Sequence, residues 1–216
     1  MMASQSLVAT AYTILKQRII EGRLVPGTLI SENEIADELK MSRTPVRNAI
    51  THLESEGLVV SLKNRGVLVK EILGKEFLDM YEATLAMLVY TLDVIREREI
   101  QLNLPRLEEI LEKQVEAEQA DDYLAYIKHS MLFIKAVVSS IHNQAMITVM
   151  DGYVDKISMA AYLNYKNTPY VKHYSMNELN RSIFRALSDG QEEEAKRLVK
   201  KVLASARDRM LSSGQF

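Results

Sequence analysis

Between residues 75 and 151 the chain has no glycine and a single proline, Pro105. A backbone without its two turn formers over that length folds into helices joined by short polar turns. The first 74 residues are the opposite. They hold two of the four prolines, Pro26 and Pro45, and five of the eight glycines: Gly22, Gly27, Gly57, Gly66 and Gly74. The sequence therefore predicts a turn-rich module over residues 5–72 and an all-helical one over 75–216, joined near Glu71–Gly74. No internal repeat or low-complexity tract interrupts either. A hydrophobic content of 47% with 26% charged residues excludes wholesale disorder. The formal net charge of -2 excludes a dense basic coat, so any nucleic-acid contact has to be a local patch. Residues 1–72 carry nine Lys/Arg against eight Asp/Glu, and the remainder eighteen against twenty-one, a mild bias toward a basic head. Cysteine is absent, which removes disulfides, thiolate metal sites and cysteine nucleophiles. Met1–Leu15 lacks the basic start and apolar core of a secretory signal, and no run of about eighteen apolar residues offers a membrane span. The expectation is a cytoplasmic protein with no membrane partner.

Leu7, Ala11, Ile14 and Leu15 recur at helical spacing and predict a helix over 6–22, ended by Gly22, Pro26 and Gly27. An extended piece, Thr28–Ile30, precedes Ser31-Glu32-Asn33-Glu34. These four form a capping-box pattern in which the Ser31 hydroxyl takes the amide of residue 34 and Glu34 reaches back. The helix so opened turns Ile35, Ala36 and Leu39 inward and ends near Lys40. After Met41-Ser42-Arg43, a third helix is capped by Ser42 or Thr44, with Pro45 tolerated in its first turn. Val46, Ile50 and Leu53 form its apolar stripe. Arg43 and Arg47, four residues apart, project together with Thr44, Asn48 and Thr51 nearby. This is helix-turn-helix geometry, with the helix-turn-helix at about residues 32–51. Arginine forks onto the O6 and N7 of guanine, and Ser or Thr reaches phosphate or a base edge. Residues 58–62 and 67–69 read as two strands around Lys63-Asn64-Arg65-Gly66, a hairpin with a basic tip.

Residues 26–69 resemble the DNA-binding domain of the GntR family of bacterial transcription regulators. The resemblance is carried by Pro26-Gly27, Ser31-Glu32, Glu34-Ile35-Ala36, Ser42-Arg43-Thr44-Pro45-Val46-Arg47, Glu56-Gly57-Leu58-Val59 and Asn64-Arg65-Gly66-Val67. It implies DNA contacts from Ser31, Asn33, Ser42, Arg43, Thr44, Arg47, Asn64, Arg65 and Gly66. Two positions depart from the family pattern: Asn48, where Glu is usual, and Asn33, where some members place a base-contacting Arg.

Apolar periods beyond residue 75 predict helices near 75–98, 105–118, 121–141, 143–164, 171–188 and 191–212. Met80, Met87, Met131, Met146, Met150 and Met159 are expected as soft core packing. Six helices after a winged helix resemble the FCD-like, effector-sensing domain of the FadR-type subgroup, in its shorter VanR-like form. The resemblance rests on Asp79-x-Tyr81-Glu82, Asp122, Phe133, Asn143, Ile183-x-x-Ala186-Leu187, Asp189-Gly190 and Ala195. Many members of that fold hold a divalent metal with one Asp and three His. Here those four positions are Ser130, Ile134, Asn180 and Val202, and an Ile or Val has no lone pair to offer. The remaining histidines, His129, His142 and His173, share no helical face with a carboxylate. The expectation is therefore no metal and no cofactor, with Ile134 and Val202 as core. A family Arg that meets effector carboxylates is Thr84 here, and a nearby Glu is Leu88. Thr84, Tyr126, Ser130, Asn177, Asn180 and Arg181 are the candidate effector-lining residues, each equally readable as a satisfied polar group of the bundle.

Mainly helical, with an N-terminal winged helix-turn-helix and a helical antiparallel bundle, the chain is expected to be a sequence-specific transcriptional regulator. The resemblance implies a homodimer on a near-palindromic operator, repression as the default, and a small-molecule effector in the bundle. A bundle that only dimerises and takes no effector stays open beside it. An enzyme is not expected: there is no phosphate loop, no Gly-x-Ser-x-Gly elbow, no His-Glu-x-x-His and no Cys. The pair Asp121 and Asp122 reads as a helix cap.

Overall fold

The computed structural model describes residues 2–213 apart from Asn64, Leu73 and residues 169–173, with side chains between residues 7 and 205. It divides into two compact units, Met1–Ile72 and Leu73–Phe216.

In the first unit, α1 (Met2–Ile20) buries Ala11, Leu15 and Ile19, spaced by four, and packs on α3 (Arg43–Ser55). Leu7, expected on the same stripe, is exposed. It lies a turn before Ala11, where the packed part of the helix begins. Between the two come β1 (Leu29–Ile30) and α2 (Glu32–Leu39), and after them β2 (Val59–Leu62) and β3 (Gly66–Val69). The expected hairpin is a three-stranded antiparallel sheet, because the extended piece before Ser31 pairs with it: the order is β1-β3-β2, with Ile30 opposite Val67 and Leu62 opposite Gly66. Ile30, Ile35, Val46, Ile50, Leu53, Leu58, Val67 and Val69 are buried between the sheet and the helices. The capping box forms only in part. Ser31 is the N-cap of α2, but its Oγ accepts from the Asn33 amide at 3.3 Å rather than from residue 34. Ser42 occupies the N-cap of α3 without a side-chain cap bond.

In the second unit α4 (Gly74–Glu97), α5 (Leu104–Gln119), α6 (Tyr123–Ser139), α7 (Gln144–Asn167), α8 (Met176–Ser188) and α9 (Glu192–Ser213) form the bundle. Three of them start on a side-chain cap. Asn103, Asp122 and Asn143 accept from the amides of Arg106, Ala125 and Met146 at 3.1, 2.9 and 3.2 Å, satisfying first-turn donors that have no helical partner. The central helix is α6, which packs on α4, α5, α7 and α8 and buries Tyr126, Phe133, Ile134, Val137 and Val138. Met80, Met131, Met150 and Met159 are core, whereas Met87 and Met146 are only half-buried. Helix α8 starts at Met176, later than the periodicity predicts, because Tyr174 and Ser175 stay out of the helix and Tyr174 turns to Asp121, donating at 2.8 Å. Residues 171–173 lie outside the described residues.

Several helices close the same way, with one residue in the left-handed region and the next amide reaching back five residues. Gly22, Gly57 and Gly190 do this as glycine readily does. Lys40, Glu99 and Asp121 do it with a side chain, each at φ 53°. The amides that reach back are Met41 to Ala36 (2.9 Å), Ile100 to Ile95 (3.0 Å) and Asp122 to Ala117 (2.9 Å).

Candidate DNA interface and interior polar site

Two short helices meet at a tight corner. The left-handed Lys40 ends α2, and Ser42 opens α3 two residues later. The inner face of α3 buries Pro45, Val46, Ala49, Ile50 and Leu53, which fixes the helix in the unit. That leaves Arg43, Thr44, Arg47, Asn48 and Thr51 exposed, with Ser42 and Asn33 exposed beside them. Ser31 is half-buried and its hydroxyl is engaged in the α2 cap. A protruding helix whose N-terminal half carries two guanidinium groups and small hydroxyls has the dimensions and donors to read a major groove.

Arg47 is held in place. Its Nη2 and Nε both donate to one carboxylate oxygen, Oε2, of Glu32 at 2.9 and 3.1 Å. The hydrogen bonds and charge of Glu32 raise the Arg47 pKa above its ordinary value. The Arg47 side chain stays 61% exposed while that of Glu32 is 24% exposed, so the carboxylate steadies the arginine without burying it. Arg43 has no side-chain partner among the described residues. Sequence reasoning missed Glu32, because a pair fifteen residues apart across a helix corner leaves no periodic signal.

In the wing, Lys63 and Arg65 are exposed; Asn64 lies outside the described residues. Gly66 sits at φ +102°, and a Cβ there would stand 2.8 Å from the Ile30 carbonyl oxygen. Glycine at 66 is therefore what lets β1 approach β3, a packing role in addition to any DNA contact.

The second unit contains a polar seam inside an otherwise apolar interior, built two residues deep from each of three helices. In one layer the fully buried Asn180 of α8 donates through Nδ2 to Gln114 Oε1 of α5 at 3.0 Å and to Ser130 Oγ of α6 at 3.1 Å. A turn away, Asn177 donates to Glu118, and Tyr126 Oη accepts the Met176 amide at 2.6 Å. Burial pushes the Tyr126 phenol up to about 12, against the Met176 and Asn177 amides and the Gln114 carboxamide, which pull it down. Tyrosines close this end: Tyr123 stacks on Tyr165 at 4.4 Å, and Tyr174 meets Tyr126 edge-on at 4.8 Å. Of the six effector candidates, Tyr126, Ser130, Asn177 and Asn180 come together in this seam. Thr84 is buried on α4 with its hydroxyl unpaired, and Arg181 is exposed, outside the buried group. Gln114 and Glu118 were missed. For Gln114 a signal existed, since it falls on the α5 stripe of Leu107, Ile110, Leu111 and Ala117.

These residues do not fit the metal that the fold resemblance implies. Ile134 is buried hydrocarbon, Val202 is half-buried rather than core, and Asn180 and Ser130 already bond to each other. A neutral carboxamide and a hydroxyl are weak ligands for a divalent cation beside imidazole and carboxylate. No cluster of three His, Cys, Asp or Glu suited to a metal occurs among the described residues. His173 lies outside them.

Residues 7–69 match the model for bacterial regulatory proteins of the gntR family, and residues 79–205 match the FCD domain. The chain belongs to the GntR family of transcriptional regulators. Within it, the FCD domain places this regulator in the FadR-type subgroup, as the sequence resemblance implied. It is 27% identical to the gluconate operon transcriptional repressor of Bacillus licheniformis over 175 residues, 76% of this chain and 70% of that protein. It is 24% identical over 189 residues to YdhC of Bacillus subtilis, an HTH-type transcriptional regulator of uncharacterised role, covering 87% and 84%. In fold it matches the crystal structure of a protein assigned to the GntR regulators from Rhodococcus sp. RHA1, with a TM-score of 0.82 at 24% identity over 96% of this chain and 98% of that one. The winged helix-turn-helix followed by a helical bundle is thus the architecture of this GntR regulator. No helix among its described residues is long and apolar enough to cross a membrane.

Proposed function

We propose that this GntR regulator is a repressor that binds a near-palindromic operator as a homodimer and is released or retained by a small effector in its helical unit. The observation that carries the DNA reading is the exposed N-terminal half of α3, with Arg43 exposed and the Arg47 fork steadied by Glu32. A two-fold dimer sets two such helices one helical turn of DNA apart, which is what a near-palindrome presents. Arg47 and Arg43 supply base or phosphate contacts, Ser42 and Thr44 phosphate or base-edge contacts, and Lys63 and Arg65 contacts from the wing. The effector shifts the population between DNA-competent and incompetent dimers. The helical unit does this without a metal, since Ser130, Ile134, Asn180 and Val202 replace the usual ligands. Kinship with a gluconate operon repressor makes sugar acids and their uncharged reduction products the first compounds to screen.

The test is fluorescence anisotropy with DNA from upstream of the regulator's own gene against a scrambled duplex. Sequence-selective binding is expected, with Arg47→Ala costing about 1–3 kcal/mol on the preferred site and little on the scrambled one. A loss uniform over both duplexes makes Arg47 a phosphate contact. No binding to either duplex, or to a pool of genomic fragments, overturns the DNA reading. A bundle that only dimerises is the second reading, favoured by the apolar Leu88 and Ile134 at family ligand positions. A metabolite screen by thermal shift separates the two, because only a working site raises the melting temperature.

A further inference from the structure

The seam between α5, α6 and α8 is hydrogen-bonded but not saturated. Among the described residues Asn180 Oδ1, Gln114 Nε2 and Asn177 Oδ1 make no hydrogen bond of good geometry, Gln114 Nε2 only nearing the Tyr126 hydroxyl, although Asn180 and Gln114 are fully buried. Which end of each amide is oxygen does not change the count. With Asn180 donating to Gln114, the free pair is a carbonyl on Asn180 and an amino group on Gln114; turning both amides exchanges the labels and leaves one donor and one acceptor. Turning only one sets like against like. Buried polar groups in folded proteins are nearly always paired, so adjacent helices that keep a matched donor and acceptor open hold a site for something that completes them. Its charge follows from its neighbours. Among the described residues, the formal charges at the seam are carboxylates, Glu118 taken by Asn177 and Asp121 by Tyr174, and the nearest guanidinium along α8, Arg181, is exposed. A carboxylate ligand would enter without a cation and beside an anion, a steep desolvation loss. A free ammonium would find Glu118 engaged and Gln114 presenting a donor.

We propose that the Gln114–Ser130–Asn180 layer is the floor of the effector site and takes an uncharged small molecule through a hydroxyl or carboxamide group, without metal. This rests on the effector-modulated reading above and names the ligand chemistry at the same unit. It differs from the metal-and-acid arrangement that the fold resemblance implies, because in this chain every position that would supply the metal or its counter-charge is neutral or apolar.

The full-length protein, treated with EDTA, is screened by thermal shift against matched triplets that differ only in charge: glucitol, gluconate and glucamine, and nicotinamide, nicotinate and 3-picolylamine, each up to about 20 mM. Operator anisotropy is measured alongside. The expected result is a melting-temperature rise with an uncharged member and none with its acid or amine, lost in Asn180→Leu and in Gln114→Met while operator binding persists. A second expectation needs no ligand. Groups left open for a ligand reduce the stability of the free protein, so the double variant Gln114→Met/Asn180→Leu melts higher than the parent, by about 2–4 °C. A lower melting temperature would show the layer to be structural glue and overturns the proposal. So does a response to the acids or amines alone, a response that survives Asn180→Leu, or silence from every uncharged member. If the protein binds no DNA at all, it is the regulator reading that falls.

Discussion

At the scale of single residues, the Arg47–Glu32 pair is the detail that sequence patterns could not supply, and it separates two properties of a DNA-reading arginine. Removing the carboxylate as Glu32→Gln frees the guanidinium and adds one unit of positive charge to the face. Affinity for scrambled DNA is expected to rise, because the polyanion attracts charge regardless of sequence. Affinity for the preferred site gains less, since a loosened fork reads guanine less well. The ratio of the two, measured by anisotropy, should narrow by about three- to tenfold. Tyr126 gives a prediction of a different kind. Its folded pKa of about 12 lies above the ordinary value of 10, so folding favours the neutral phenol. The stability this gives is complete below pH 10 and is lost as pH rises from about 10 toward 12. Burial shifts Tyr123 and Tyr174 in the same direction, so the helical signal should fall over that window, and less steeply in Tyr126→Phe. A curve unchanged in that variant would remove Tyr126 from the explanation.

At the scale of elements, the wing turns on Gly66. Gly66→Ala forces a side chain into φ +102° and a Cβ against the Ile30 carbonyl, so β1 must separate from β3. A loss of about 1–3 kcal/mol in chemical denaturation is expected, with weaker DNA binding. Gly27→Ala is the control: its φ of +83° is strained in the same way, but nothing crowds a Cβ there, and its loss should be smaller. Elements were legible where a local residue does a local job. Asp122 reads as a helix cap because a short polar side chain reaches a first-turn amide, and Gly22 marks a helix end. The α8 start was not legible, because the Tyr174–Asp121 bond that holds the chain out of the helix joins residues 53 apart in sequence. The third strand was half legible. Leu29-Ile30 looked extended, but its pairing with Leu68 and Val67 depends on a long-range approach that Gly66 permits.

For the whole molecule, the change from turn-rich to glycine-poor sequence falls near residue 74, close to where the two units part, and the helix-turn-helix string lies in the first of them. The interior seam of the second was legible in its parts, Tyr126, Ser130, Asn177 and Asn180. Its assembly needed the packing of α5, which brings Gln114 and Glu118 to it. With no metal required by these residues, EDTA should leave the melting temperature within about 1 °C of the untreated value; a fall of several degrees would show a bound cation contributing to the fold. The three helix ends closed by Lys40, Glu99 and Asp121 bear on the chain's capacity to change. Each holds an L-residue in a backbone region that disfavours it by about 1–2 kcal/mol, next to a reach-back hydrogen bond that glycine would make as well. All three are exposed, but Asp121 accepts from Tyr174, so Lys40 and Glu99 are the two whose replacement disturbs no packed neighbour. A lineage carrying such joints has stabilising steps in reserve, one codon at a time, with which to offset the harm of new mutations in its DNA-reading face or its interior seam.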